Sequence, residues 1–265
     1  MLCRIGVLDT ETTGLNASTG DRVCDFGATI LSFRGTKLAS VERKFQTLIN
    51  PGFPINPLVS SIHHITDRMV KNSMTYDNPS DEFQDFMRDF VTVNYLGSYN
   101  LRFDWDFMVG LYPDIIQFPE AKRVCYLKTL QKFNPNMVNH QLQYVRYALD
   151  LEPIISEVFP EPVQAHRAFS DVVVTSALVI KLLEQAKGTV KSWGEFFDLS
   201  SWGPGSVMCF GKHKGRTLQD VFDSDRKYVT YLFEQDWFKP KYTEICNVFE
   251  RLQQDEQNQT SQCSN

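Results

Sequence analysis

What this chain lacks already excludes several classes of protein. No Cys-x-x-Cys pair occurs; the six cysteines stand singly at 3, 24, 125, 209, 246 and 263. That pattern fits neither a zinc site nor the disulfide framework of a small secreted domain. No apolar run approaches the ~20 residues that a membrane-spanning helix needs, and no signal-peptide core precedes the first strand-like segment. No membrane partner and a reducing, cytoplasmic compartment are therefore expected. Positive charge is also short: 27 Lys and Arg against 32 Asp and Glu give a net charge of −5. Such a balance argues against a protein that coats nucleic acid by bulk electrostatics. It leaves open a protein whose acids are gathered in one place and neutralised there by cations. No internal repeat is present, and 265 residues at 42% hydrophobic are enough to bury a sizeable core.

Residues 4–9, 23–33 and 37–48 have the β-branched and aromatic content of strands, separated by turn chemistry at 16–21 and at Arg34-Gly35-Thr36. Helical spacing follows at 60–70, 80–91, 124–133, 138–149 and 172–186, and Asn100 is placed to cap a helix running to about Leu111. Strands first, then helices alternating with short strands, predict a mixed sheet flanked by helices.

Asp9-Thr10-Glu11-Thr12-Thr13-Gly14-Leu15 follows the apolar run Ile5-Gly6-Val7-Leu8. Side chains alternate along a strand, so Asp9 and Glu11 share a face, with Cα atoms roughly 6.6 Å apart, if extended geometry continues past Leu8. Two carboxylates so placed can share divalent cations, which as hard ions favour oxygen ligands. Alone, the same residues also describe a strand ending in a polar turn. Two later segments answer the pair. Ser98-Tyr99-Asn100-Leu101-Arg102-Phe103-Asp104 puts an acid just past another apolar stretch. Spacing leaves Asp104 and Asp106 both open, because the macrodipole favours an acid in a first helical turn whatever its function. His166-Arg167-Ala168-Phe169-Ser170-Asp171 puts a histidine five residues before an acid that opens the apolar run at 172–183. A carboxylate at the head of a buried helix needs a partner or a cation, and an imidazole, which titrates near neutrality, suits a general base.

In residue type, order and spacing, Asp9, Glu11, Asp104 and Asp171 with His166 resemble the DEDDh 3′→5′ exonuclease family over residues 4–185. The resemblance implies a ribonuclease H-like α/β fold with a mixed five-stranded sheet flanked by helices. It implies two Mg²⁺ ions, replaceable by Mn²⁺, held by the four acids roughly 3.5–4 Å apart. His166 is implied as the base that takes a proton from the attacking water, a role worth about 10²–10⁴ in rate. Asn100-x-x-Phe103-Asp104 matches the family's second motif and singles out Asp104 over Asp106, although Tyr99 stands where many relatives carry histidine. Substrate contacts are implied for Thr10, Thr12, Asn100 and His63. Leu15 and Phe103 either stack on the terminal base, since stacking is sequence-tolerant, or pack as ordinary core. His64, His140 and His213 read as surface or structural residues.

The first 186 residues thus read as an exonuclease domain, 187–206 as a linker carrying Trp193, Phe196, Phe197 and Trp202, 207–252 as a small module, and 253–265 as a disordered tail. Within the module, Phe210-Gly211-Lys212-His213-Lys214-Gly215-Arg216 sets cations between glycines. The turn either approaches a phosphate backbone or is a solvated hairpin. Together with Thr217-Leu218, Val221 and Tyr228-Val229-x-Tyr231-Leu232-Phe233, it resembles the C-terminal module of exodeoxyribonuclease X-like enzymes. That likeness points to Lys212, Lys214 and Arg216 as contacts to DNA. The resemblance as a whole implies an exodeoxyribonuclease acting on single strands or 3′ ends and releasing nucleoside 5′-monophosphates. RNA stays open as the substrate, because the same five residues serve RNA in relatives. A nucleic-acid-binding adaptor without turnover and a structural or interaction protein, which the 187–206 linker would serve, are the remaining alternatives, and association with a polymerase is open, with no tethering segment recognisable.

Overall fold

The structure is a computed structural model that describes residues 2–134, 136–160, 162–186, 193, 196, 203–208 and 210–262. β1 (Cys3–Thr12), β2 (Val23–Arg34) and β3 (Lys37–Asn50) form an antiparallel meander. β4 (Met74–Thr75), β5 (Tyr95–Ser98) and β6 (Arg123–Cys125) complete a six-stranded sheet in the order β4-β3-β2-β1-β5-β6. β5 and β6 continue parallel to β1, and β4 pairs parallel with β3, so the sheet is mixed as the sequence predicts. The sixth strand is a correction: Met74–Thr75 is too short to carry an alternating pattern and pairs only with Ile49 and Asn50 at the edge.

The helices are α1 (Pro57–His63), α2 (Asp67–Val70), α3 (Asp81–Phe90), α4 (Leu101–Leu111), α5 (Tyr126–Phe133), α6 (Leu142–Ala148), α7 (Glu152–Val158) and α8 (Ala168–Gln185). The single helix expected over 60–70 is split into α1 and α2, because His64 takes a left-handed backbone (φ 62) that closes α1. β2 is buried at every residue but Arg34, as a strand covered on both faces should be. One face packs Phe26, Ala28 and Ile30 against Phe83, Phe86 and Phe90 of α3 and Phe107 of α4. The other carries α8, which lies against β1, β2 and β3 and buries Val172 to Val174 and Ala177 to Ile180.

The chain divides into two compact units, Met1–Leu127 with Asn139–Phe196, and Lys128–Val138 with Phe197–Asn265. Residues 128–138, which the sequence reading keeps in the first domain, fall in the second unit. That unit builds its own core from Met208, Leu218, Val221, Phe222, Val229, Leu232, Phe238 and Phe249. Its helices are α9 (Leu218–Ser224), α10 (Arg226–Phe233), α11 (Phe238–Lys241) and α12 (Thr243–Gln262). Of the disordered tail expected at 253–265, residues 263–265 lie outside the described residues; over 253–262 it is corrected, since α12 continues through Gln262. Its Gln, Asp and Glu residues prolong a helix already anchored by Ile245, Phe249 and Leu252, and Glu256 takes two bonds of 2.8 Å from Arg226. Most of the expected linker, with Phe197 and Trp202, lies outside the described residues. Within it Trp193 stands edge-on to Phe33 at 5.2 Å, and Phe196 is buried. Among the described residues no helix is long and apolar enough to cross a membrane.

Candidate active site

The site is built where β1 runs out. In the β1–β2 register Asp9 faces Gly27 and Glu11 faces Asp25. Alternation therefore puts both acids of β1 on one face, the face that Gly27 shares with the start of α8. A Cβ added at Gly27 would stand 2.4 Å from the Phe169 backbone nitrogen. Only glycine lets the helix settle so close, and that approach carries Asp171, in the first turn of α8, towards Asp9 and Glu11.

Asp104 comes from the first turn of α4 and is buried. Its carboxylate accepts from the Thr10 amide at 3.0 Å, Thr10 Oγ1 at 2.8 Å and Ser98 Oγ at 2.7 Å. Asp106 is exposed and outside this network. Asp171 is buried and accepts from Gln143 Nε2 of α6 at 2.8 Å. His166 is exposed, with a left-handed backbone at φ 59. One ligand atom each from Glu11, His166 and Asp171 lie within 4.8 Å of one another.

The charges explain what such a cluster needs. Desolvation, then the neighbouring Asp104, Asp171 and Glu11, push the Asp9 carboxyl well above the usual carboxylate range. Desolvation, then Asp171 and Asp25, push Glu11 up to about 8. Burial lifts Asp104 to about 6 against the hydrogen bonds of Ser98 and Thr10. It lifts Asp171 to about 6 against the nearby His166 and Gln143. Like charges crowded out of water favour either protons or a cation. The donors are carboxylates with no thiolate among them, so the residues fit a hard divalent ion such as Mg²⁺ or Mn²⁺.

A pH dependence follows. Without metal these carboxyls hold protons more tightly folded than unfolded, where they titrate near pH 4. Their contribution to stability is therefore complete below about pH 4 and is lost as pH rises towards the value of about 8 at Glu11. In EDTA, Tm is expected to fall from about pH 5 to about pH 8, and Mn²⁺ to raise it most at the upper end. Calorimetry with and without the ion reads both.

The residues expected to contact substrate differ in burial. Thr10 is buried and its hydroxyl is engaged by Asp104, on which it acts as a support. Thr12 Oγ1 donates to the Gly14 carbonyl at 2.6 Å and closes the turn after β1. His63 is 1% exposed, with Nδ1 accepting from the Ile65 amide at 3.0 Å and Nε2 lying 3.7 Å from Cys24 Sγ. Burial holds its imidazole below the ordinary value. A side-chain bond to the amide two residues on makes it an internal anchor of α1. Asn100 is exposed at the head of α4 and makes no side-chain cap bond. Leu15, 87% exposed, and Phe103, packed on Phe107 at 4.9 Å, line one open cavity of about 820 Å³ with Arg22, Tyr76 and Trp105.

In the second unit the three expected DNA contacts are engaged internally. Lys212 Nζ pairs with Asp225 at 2.8 Å and lies over the Tyr228 ring. Lys214 Nζ donates to the Met137 carbonyl at 2.9 Å, and Arg216 to Ser224 Oγ at 3.0 Å. Asp225, at the head of α10, also bonds His213 Nε2 at 2.9 Å, so a single acid organises much of this turn.

Sequence reasoning passed over Ser98, Gln143, Gly27, Asp25 and Arg167. Two of them carry a signal: a glycine inside a strand marks close approach, and an acid in an apolar strand asks for a buried partner. Gly27→Ala is expected to lift the head of α8 from the sheet and cost about 1–3 kcal/mol as overpacking. A melting curve in EDTA measures the loss, and a smaller Mn²⁺-induced rise in Tm reports the displaced Asp171.

Residues 7–179 match the family model described as Exonuclease, and residues 208–236 match the one described as Exodeoxyribonuclease X-like C-terminal. DNA polymerase III PolC-type of Listeria monocytogenes is 32% identical over 184 residues, 68% of this chain but 11% of that protein. This chain thus spans about a ninth of the PolC-type relatives' length. Exodeoxyribonuclease 10 of Escherichia coli K12 is 24% identical over 229 residues, 86% of this chain and 89% of that one. Among solved structures, exonuclease X in complex with 5′ overhanging duplex DNA superposes with TM-score 0.52 at 20% identity, covering 74% of this chain and 99% of that chain. An Escherichia coli exonuclease I complex with single-stranded DNA gives 0.51 at 17%, covering 74% and 42%. At these identities the two superpositions speak for the fold.

Proposed function

The chain belongs to the Exonuclease family, and on that premise we propose that it hydrolyses DNA stepwise from the 3′ end, releasing nucleoside 5′-monophosphates. In this reading Asp9, Glu11, Asp104 and Asp171 hold divalent metal and His166 is the general base. The observation that carries it is the convergence of Glu11, His166 and Asp171 within 4.8 Å, beside the strained carboxyls of Asp9 and Asp104.

Mg²⁺, or Mn²⁺ in its place, would supply Lewis-acid stabilisation of the charge that builds on the phosphodiester oxygens. The chain's own residues do the rest. Thr10 and Ser98 keep Asp104 oriented, and Gln143 does the same for Asp171. His166 stands in solvent beside Glu11 and Asp171, where its ring can accept a proton from water and return it to bulk. Leu15 and Phe103 offer an apolar edge to an unstacked terminal base.

DNA as the polymer is supported by the likeness to exodeoxyribonuclease 10, which covers most of both chains. The PolC-type relatives, DNA polymerases by name, support the same substrate class. Matched DNA and RNA single strands, compared for kcat/KM under one metal, test the choice. Faster turnover of DNA is expected; equal or faster turnover of RNA would reassign the substrate.

A further inference from the structure

We propose that Asp25 and Arg167 form a clamp between β2 and the start of α8 that positions His166, which makes both of them positioning residues of this site. The proposal rests on reading the site as a nuclease centre. Asp25 is 2% exposed and stands directly opposite Glu11 in the β1–β2 register. Like charges in that relation repel, so a buried acid there needs a reason of its own. Its Oδ2 accepts from Arg167 Nε at 2.8 Å and from the Ala168 backbone N–H at 3.4 Å. Arg167 is the N-cap residue of α8 and makes no side-chain cap bond itself. The cap therefore comes from β2, 143 residues away in the chain. A carboxylate at a helix N-terminus is favoured by the aligned peptide dipoles, and the guanidinium neutralises it beside Glu11.

His166 precedes the clamp by one residue and has φ 59. A left-handed backbone is unfavourable for a residue with a side chain and persists only where its surroundings enforce it. With the Arg167 side chain and the Ala168 N–H both tied to β2, relaxation of His166 would have to carry its ring away from Glu11 and Asp171. Gly27 completes the seat: two residues beyond Asp25 on the same face, it lets Ala168 and Phe169 lie against the strand.

The test pairs kinetics on a 3′-ended DNA strand with the His166 ring signals in a ¹H–¹⁵N spectrum of the EDTA-treated protein. Arg167→Gln is chosen because Arg167 is partly exposed, with a cooperative melting transition established first; Asp25→Asn is its counterpart. Arg167→Gln is expected to lower kcat about 10–100-fold with KM within about threefold, and to broaden or double the ring signals. In a His166→Ala background the same change should matter less than about twofold, because the group it positions is gone. An equal loss in both backgrounds, or an unchanged kcat beside intact His166, would overturn the clamp. Should the wild-type protein leave DNA intact, the nuclease reading falls separately. The ring signals then decide alone: broadening in Arg167→Gln keeps the clamp, and unchanged signals remove it.

Discussion

Asp9→Asn is expected to abolish turnover and, in the same protein, to raise the melting temperature without metal. Asparagine keeps the shape of the side chain and removes its charge. For catalysis the loss should be at least about 10³-fold in kcat, as when one electrostatic support of a transition state is deleted. For stability the sign reverses. Folding brings Asp9 out of water beside Asp104, Asp171 and Glu11, which together push its carboxyl well above the ordinary range. At neutral pH the folded protein must either protonate that group or hold its charge against the others, and an amide requires neither. The gain should vanish below about pH 4, where the carboxyl is protonated folded and unfolded alike, and grow as pH rises. Mn²⁺ should then raise Tm less in the variant than in the parent. Such a trade is expected where binding chemistry is maintained against stability. A lower Tm in EDTA would mean that these acids are not the strained groups. Retained turnover would remove Asp9 from the centre.

His166→Ala is expected to lower kcat by about 10²–10⁴-fold while KM moves little, the signature of a lost general base. The ring also lies within 4.8 Å of Glu11 and Asp171, close enough to bind a metal itself. The two roles separate cleanly. A base that is not a ligand leaves the Mn²⁺-induced rise in Tm unchanged when removed. The variant's rate should then climb with pH, as hydroxide replaces the missing proton acceptor. A weakened Mn²⁺ response, with a rate insensitive to pH, would instead make His166 a ligand.

How much of this was legible depends on how far apart the interacting residues lie in the chain. β1, β2 and β3 announce themselves through alternation and through the turn at Arg34-Gly35-Thr36, and the structure places them within a few residues of the expected bounds. The same period of two puts Asp9 and Glu11 on one face before any coordinates are seen. Asp104 needed more than spacing, because Asp106 satisfies a first-turn dipole argument as well; what separates them is burial under Thr10 and Ser98. Pairs such as Asp25 with Arg167, or Gln143 with Asp171, join residues 142 and 28 positions apart and leave no periodic mark. At His63 the structure adds a local bond and burial that its position in the sequence does not announce. A histidine beside a motif reads as a ligand contact, whereas its bond to the Ile65 amide draws it inward. The C-terminal helix escaped notice because its polar residues follow no hydrophobic period; packing upstream on Ile245, Phe249 and Leu252 and the bonds from Arg226 to Glu256 hold it.

The central claim is that the acids of β1, α4 and α8 make a metal-dependent centre acting on 3′ ends. It is tested most directly by a time course on a 5′-labelled DNA single strand with Mg²⁺, with Mn²⁺ and with EDTA, run on the wild-type and Asp9→Asn proteins in parallel. The expected result is a ladder shortening from the 3′ end with either ion, absent in EDTA and absent in the variant. An intact strand under both ions, from a protein that melts cooperatively and binds the strand without metal, would contradict the account.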